Sequence, residues 1–93
     1  MKAKEAQQIT QKAVDLKLDR YVKYVTKKCD KRIKQEAKNA GTSISYNFGD
    51  LCHKLSNYDY LVKNVIDQVL KHYKELGYSI DRCDEFIYSI IWG

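Results

Sequence analysis

The sequence predicts an α+β domain of order α-β-α-β-β, with a long N-terminal helix and a second helix packed on a small three-stranded sheet. Three observations carry this reading. Apolar residues recur at helical spacing through residues 18–40 and again through residues 60–76. Polar and apolar residues alternate through residues 43–48, and a similar alternation returns near the C-terminus. Gly41 and Gly77 stand where each helical pattern stops, the usual place for a left-handed residue.

The first helix is expected over about residues 3–40. Leu18, Val22, Val25, Cys29, Ile33 and Ala40 share one face, with Tyr21 and Ala37 at its edges. Arg20, Lys23, Lys27, Lys31, Lys34 and Lys38 stack on the opposite face. At about 1.5 Å per residue, these six cations span about 27 Å. A second stripe, made of Ala3, Ala6, Ile9, Ala13 and Leu16, lies roughly opposite the first apolar stripe when the helix is continuous. A break near residues 16–19 would also explain the change of face, but no glycine or proline marks one. We therefore expect one continuous helix whose N-terminal face needs a cover. The simplest cover is another copy, which makes the protein a homo-oligomer.

A half-buried strand is expected at 43–48, and residues 49–57 read as a polar connection containing Asp50, Cys52 and His53. Ser56 or Asn57 can cap the next helix, expected at about 58–76. Leu61, Val62, Val65, Ile66, Val69, Leu70, Tyr73 and Leu76 give that helix a broad apolar face. Tyr78 can fold back on its last turn. The remainder, about 78–92, reads as a hairpin turning at Cys83-Asp84-Glu85. Phe86, Tyr88, Ile90 and Trp92 lie on one face of its second strand, and Ile87 and Ile91 on the other. A strand apolar on both faces belongs in the middle of the sheet.

Ninety-three residues make a single domain, residues 1–93, with a modest core. The net charge of +5 is unevenly distributed. Residues 1–40 hold 12 Lys/Arg against 5 Asp/Glu, a balance of +7, and residues 41–93 hold 5 against 7, a balance of −2. The basic character therefore belongs to the first helix, and an anionic partner is its natural complement. A solvated lysine face has the same pattern. Three cysteines without a leader-like segment point to a reducing, cytoplasmic setting. No apolar run reaches the roughly 20 residues that a membrane span requires.

No metal site is expected, because Cys29, Cys52, His53, His72 and Cys83 lack paired ligand spacing. Cys52, His53 and Cys83 could share an ion only through tertiary proximity. Adjacent Cys52 and His53 make a poor catalytic pair, and Asp81, Asp84 and Glu85 read as solvated turn formers. No phosphate loop or nucleophile elbow occurs, so neither a cofactor nor an enzymatic reaction is expected. The candidate ligand-binding residues are Arg20, Lys23, Tyr24, Lys27, Lys31 and Lys34, with Tyr24 offering an aromatic surface beside the cations. Nothing resembles a base-reading cluster, and a straight helix follows a duplex groove for only a few turns. A phosphate-rich small ligand held where copies approach needs fewer constraints, since each contact is charge-assisted.

Ala3-Lys4-Glu5-Ala6 opening a long helix, Gly41 leading to Ile44, Leu76-Gly77-Tyr78-Ser79-Ile80, and the closing Ile90-Ile91-Trp92 carry a resemblance. Over nearly the whole chain, it resembles a group of small phage-encoded proteins with this helix–strand–helix–hairpin layout and mostly unassigned functions. The Lys-rich first helix and Gly93 depart from that group, and no site residues carry over. The resemblance implies a viral origin and a non-enzymatic role in the host cytoplasm. With the basic stripe, it leads us to expect a protein that sequesters an anionic, nucleotide-like ligand, such as a host defence signal. The alternatives are a minor virion, assembly or DNA-associated protein, and an inhibitor that docks the basic face on an acidic host protein surface.

Overall fold

One helix dominates the molecule and sets its length. In the computed structural model, α1 runs without interruption over Ala3–Lys38, and the molecule extends 57 × 22 × 17 Å. The structure describes residues 1–55 and 59–93, with His53, Asp59 and Tyr60 described by their backbone only. The elements that follow are β1 Ser43–Asn47, α2 Gly49–Lys54, α3 Asp59–Glu75, β2 Ser79–Arg82 and β3 Ile87–Ile91. The arrangement is the α+β layout expected from the sequence, with α2 added.

The sheet is antiparallel in the order β1-β3-β2, so the strand that is apolar on both faces is central. Ile44 and Ile80 both stand opposite Ile90, and Tyr46 and Arg82 both stand opposite Tyr88. Inward residues of β1 are buried and outward ones exposed, as alternation demands. Backbone bonds extend the β1–β3 ladder at both ends, from Phe48 N–H to the Phe86 carbonyl and from Trp92 N–H to the Thr42 carbonyl. On the free edge of β1, the Arg32 guanidinium donates to the Ser45 carbonyl at 2.6 Å. That contact occupies an acceptor which an unprotected edge strand would offer to another chain.

The core lies between the inner sheet face and the two long helices. Val25 and Cys29 of α1 are fully buried against Leu61, Val65, Val69 and Tyr73 of α3 and Ile90 of β3. Leu18, Tyr21, Val22 and Ile33 are partly buried around them, and Val14 joins this group. Edge-to-face rings line the sheet side, with Tyr46–Phe48 centroids 4.9 Å apart and Phe48–Tyr88 centroids 5.7 Å apart. Such pairs add to the burial of the rings themselves.

Four expectations need correction. The polar connection at 49–57 contains α2, because Leu51 and Leu55, one turn apart, are buried in the core. The capping proposal for Ser56 or Asn57 falls outside the described residues. The first helix stops at Lys38, and Ala37 and Ala40 are exposed. Ala40, not Gly41, takes the left-handed conformation, with φ 64°. Two bonds close that end, from Ala40 N–H to the Ala37 carbonyl and from Gly41 N–H to the Glu36 carbonyl. A Cβ at Gly41 would meet the exposed Glu36 side chain, which would have to turn away. Leu76 lies beyond the end of α3 and is 62% exposed. Gly77 does act as the stop, with φ 98°, and the Tyr78 ring returns to within 5.4 Å of Tyr73.

Candidate polyanion-binding face

The two faces of α1 are a direct result of 3.6-residue spacing about the Val25–Cys29 contact. With those two residues in the core, Arg20, Lys23, Lys27, Lys31, Lys34 and Lys38 must point away, and all six are exposed. They form a convex ridge. Lys23 pairs with Asp19 at 3.0 Å, both side chains being largely exposed, so this pair is weakly held. Among the described residues, Arg20, Lys27, Lys31 and Lys34 carry no ion pair.

Tyr24 sits on the flank of the ridge and is 37% exposed. Two cations that sequence spacing did not single out converge on it. The Lys28 ammonium lies 4.6 Å from the ring centroid and the Lys54 ammonium 4.3 Å. Lys54 Nζ also donates to the phenol oxygen at 2.9 Å. These contacts hold the Tyr24 hydroxyl below the ordinary tyrosine range, through Lys28 first and Lys54 second. The same contacts raise both lysines. Lys28 is one turn from Tyr24 and was legible as its neighbour. Lys54 arrives from α2 and had no sequence signal.

Arg20, Tyr21, Tyr24 and Lys54 border a hollow of about 160 Å³. Farther along, Lys28, Lys31, Arg32 and Gln35 border a wider, shallow depression of about 470 Å³ against Tyr46, Asn47 and Asp50. On the other flank, Lys23, Lys27 and His72 border one of about 400 Å³. The predicted binding residues are therefore continuous along the helix but do not enclose a cavity. A larger groove of about 680 Å³ lies elsewhere, between α3 and the hairpin. It presents both signs of charge, from Lys63 and Arg82 and from Asp67 and Glu85, over Val62, Ile66, Phe86 and Tyr88.

Among the described residues, no three His, Cys, Asp or Glu side chains gather as a metal site would need. No described helix is long and apolar enough to cross a membrane. Comparison with protein-family models, curated proteins and solved structures finds no match.

Proposed function

We propose that this protein is a non-enzymatic binder of extended polyanions, and that α1 engages the phosphates of a nucleic acid backbone. The supporting observation is the exposed ridge, with a cation every 4.5–6 Å by helical rise over about 27 Å. Among the described residues, most of those cations have no acidic partner. A convex surface matches a ligand that runs along it. Compact ligands instead favour enclosed concave sites of about 300–1,000 Å³. The hollow beside Tyr24 is smaller, at about 160 Å³, and the wider depressions of about 400 and 470 Å³ flanking the ridge are shallow and open. Tyr24 serves less as a stacking platform than as an anchor, because the Lys28 and Lys54 ammonium groups already occupy its ring. It adds two cations to the flank of the ridge. Recognition is then by charge and is independent of base sequence.

The test is binding of fluorescent single- and double-stranded oligonucleotides, followed against salt concentration. About five phosphate contacts give a log–log slope of about −3.5 for single strands and −4.5 for duplex. Changing Lys27 and Lys31 together to Glu should reduce affinity at least about tenfold and flatten the slope. The fold should persist, since exposed charges contribute little to stability. An absence of binding at low salt, or affinity indifferent to salt, would sink the proposal.

A second reading keeps a nucleotide-like ligand, as expected from the one-sided cation stripe, with its phosphates at Arg20 and Lys54 beside Tyr24. The clustering of those groups around one hollow favours it. Calorimetric titration with mononucleotides and cyclic dinucleotides distinguishes the two readings. Saturable one-to-one binding without oligonucleotide binding would replace the first with the second.

A further inference from the structure

We propose that α1 pairs antiparallel with α1 of a second copy, through a seam of Ala6, Ile9, Ala13 and Leu16 with its two-fold axis beside Gln11. This inference stands apart from the polyanion reading. Ile9 is 58% exposed and Leu16 is 67% exposed, both far above the core residues of the same helix. Their spacing with the two alanines is 3, 4 and 3, the apolar repeat of a two-helix seam. The seam lies on the side of α1 opposite Val25 and Cys29, so a partner can approach without meeting the sheet or α3. Residues 3–13 are all exposed, and none of the described residues covers this end of the helix. A helical stretch of that length is marginal in water without a packed face.

The occupant is identified by size and charge together. In the antiparallel register centred on Gln11, Ala6 faces the partner's Leu16 and Ile9 faces the partner's Ala13. Each of the four layers then sets a large side chain against a small one, the alternation that close helix packing uses. The surface is its own complement, as a two-fold contact requires. Sliding the register by one heptad in either direction would set a cation against an apolar side chain, Arg20 opposite Ile9 or Lys2 opposite Ala13. A parallel pair would continue the seam into Arg20 against Arg20, Lys23 against Lys23 and Lys27 against Lys27. Like charges at such positions oppose association. In the antiparallel pair Arg20 alone meets a cation, the partner's Lys2 just before its helix begins, and the ridge from Lys23 to Lys38 runs on beyond the partner's helix and stays open.

Four layers over this length bury about 900 Å² in total, below the usual range of stable interfaces. The dimer should therefore be concentration-dependent. Two chains of charge +5 also repel, so added salt should strengthen pairing while it weakens polyanion binding.

Sedimentation equilibrium of the full chain, up to about 200 µM and at low and high salt, tests this. The expected result is reversible dimerisation from 10.9 kDa, favoured by salt. Leu16→Glu should raise the dissociation constant at least about tenfold without changing helix content or the urea midpoint. Ile9→Ala should weaken the dimer, and adding Ala13→Ile should restore it. Orientation is read from a nitroxide on Lys27→Cys in a Cys83→Ser background. The antiparallel pair separates the labels by about 48 Å along the axis, whereas a parallel pair brings them to about 10 Å. A monomer throughout, a dimer indifferent to Leu16→Glu, or the short label distance would each overturn the proposal.

Discussion

The Tyr73 hydroxyl stands 2.7 Å from Asp30 Oδ1 and 3.1 Å from the Thr26 carbonyl, tying the last turn of α3 to the middle of α1. The Tyr73 ring is fully buried, and it is among the largest fully buried side chains. These contacts add to the burial of Val25 and Cys29, which sets the direction in which the basic ridge points. Tyr73→Phe keeps the ring and removes the donor. Asp30 is exposed and can turn to water, so the loss should be about 1–2 kcal/mol in urea unfolding. An unchanged midpoint would show that ring packing alone holds the two helices.

Alkaline pH should destabilise the fold. Burial pushes the Cys29 thiol up from 9.0 to about 12, and Tyr73 is raised by burial first and by its bond to Asp30 second. The unfolded chain releases the Cys29 proton from about pH 9, while the folded chain keeps it. Fewer protons on the unfolded state mean that stability falls as pH rises between 9 and about 12, with Tyr73 adding to the fall from about pH 10. Urea midpoints at about pH 8 and pH 10.5 measure this. Cys29→Ala should start from a lower midpoint and show a shallower fall; an equal fall would assign the effect elsewhere.

Ala40→Gly should stabilise the protein. Ala40 holds φ 64°, where a Cβ is crowded by the following carbonyl at about 1–2 kcal/mol. Glycine removes that cost but brings a more flexible unfolded chain, leaving a net gain of about 0.5–1 kcal/mol. Thermal unfolding checks the sign, and a lower midpoint for the variant would contradict it.

Tyr24 should ionise at lower pH than an unperturbed tyrosine, because Lys28 and Lys54 stabilise its phenolate. Ultraviolet titration of the phenolate band, with Tyr24→Phe to assign it, reads this directly. Lys28→Ala and Lys54→Ala should each move the transition upward, Lys28 by more. A bound polyphosphate that draws the ammonium groups away should do the same. A Tyr24 transition unmoved by either lysine variant would mean that the cations do not gather on the ring in solution.

Much of the fold was legible because it rests on local periodicity. The spacing of Val22, Val25 and Cys29 set the buried side of α1, and alternation at Ser43 to Asn47 set β1. Isoleucines on both faces of the last strand placed it in the centre. Helix α2 was hidden because its few apolar positions are outnumbered by Asp50, His53 and Lys54, too few turns for a period to show. The left-handed residue was assigned to Gly41 on conformational preference, yet it is Ala40 that adopts it, where two hydrogen bonds close the helix end. Local closure of the helix end outweighed a preference of about 1–2 kcal/mol.

The sequence by itself determined that one side of α1 belongs to the core and that the other carries the cations. Both of those properties follow from 3.6-residue spacing within a single segment. The continuity of α1 through residues 16–19, where the apolar stripe changes face, was settled by the structure. Only the tertiary structure decided that Lys54 joins Lys28 on Tyr24 and that Arg32 closes the free edge of β1. Tyr24 and Lys54 are 30 positions apart, joined by the rest of α1, a turn, β1 and α2, and no pattern within one segment encodes how that path closes. The positive face was written in the order of residues. Its width and its anchoring tyrosine were set by how the chain returns to the helix.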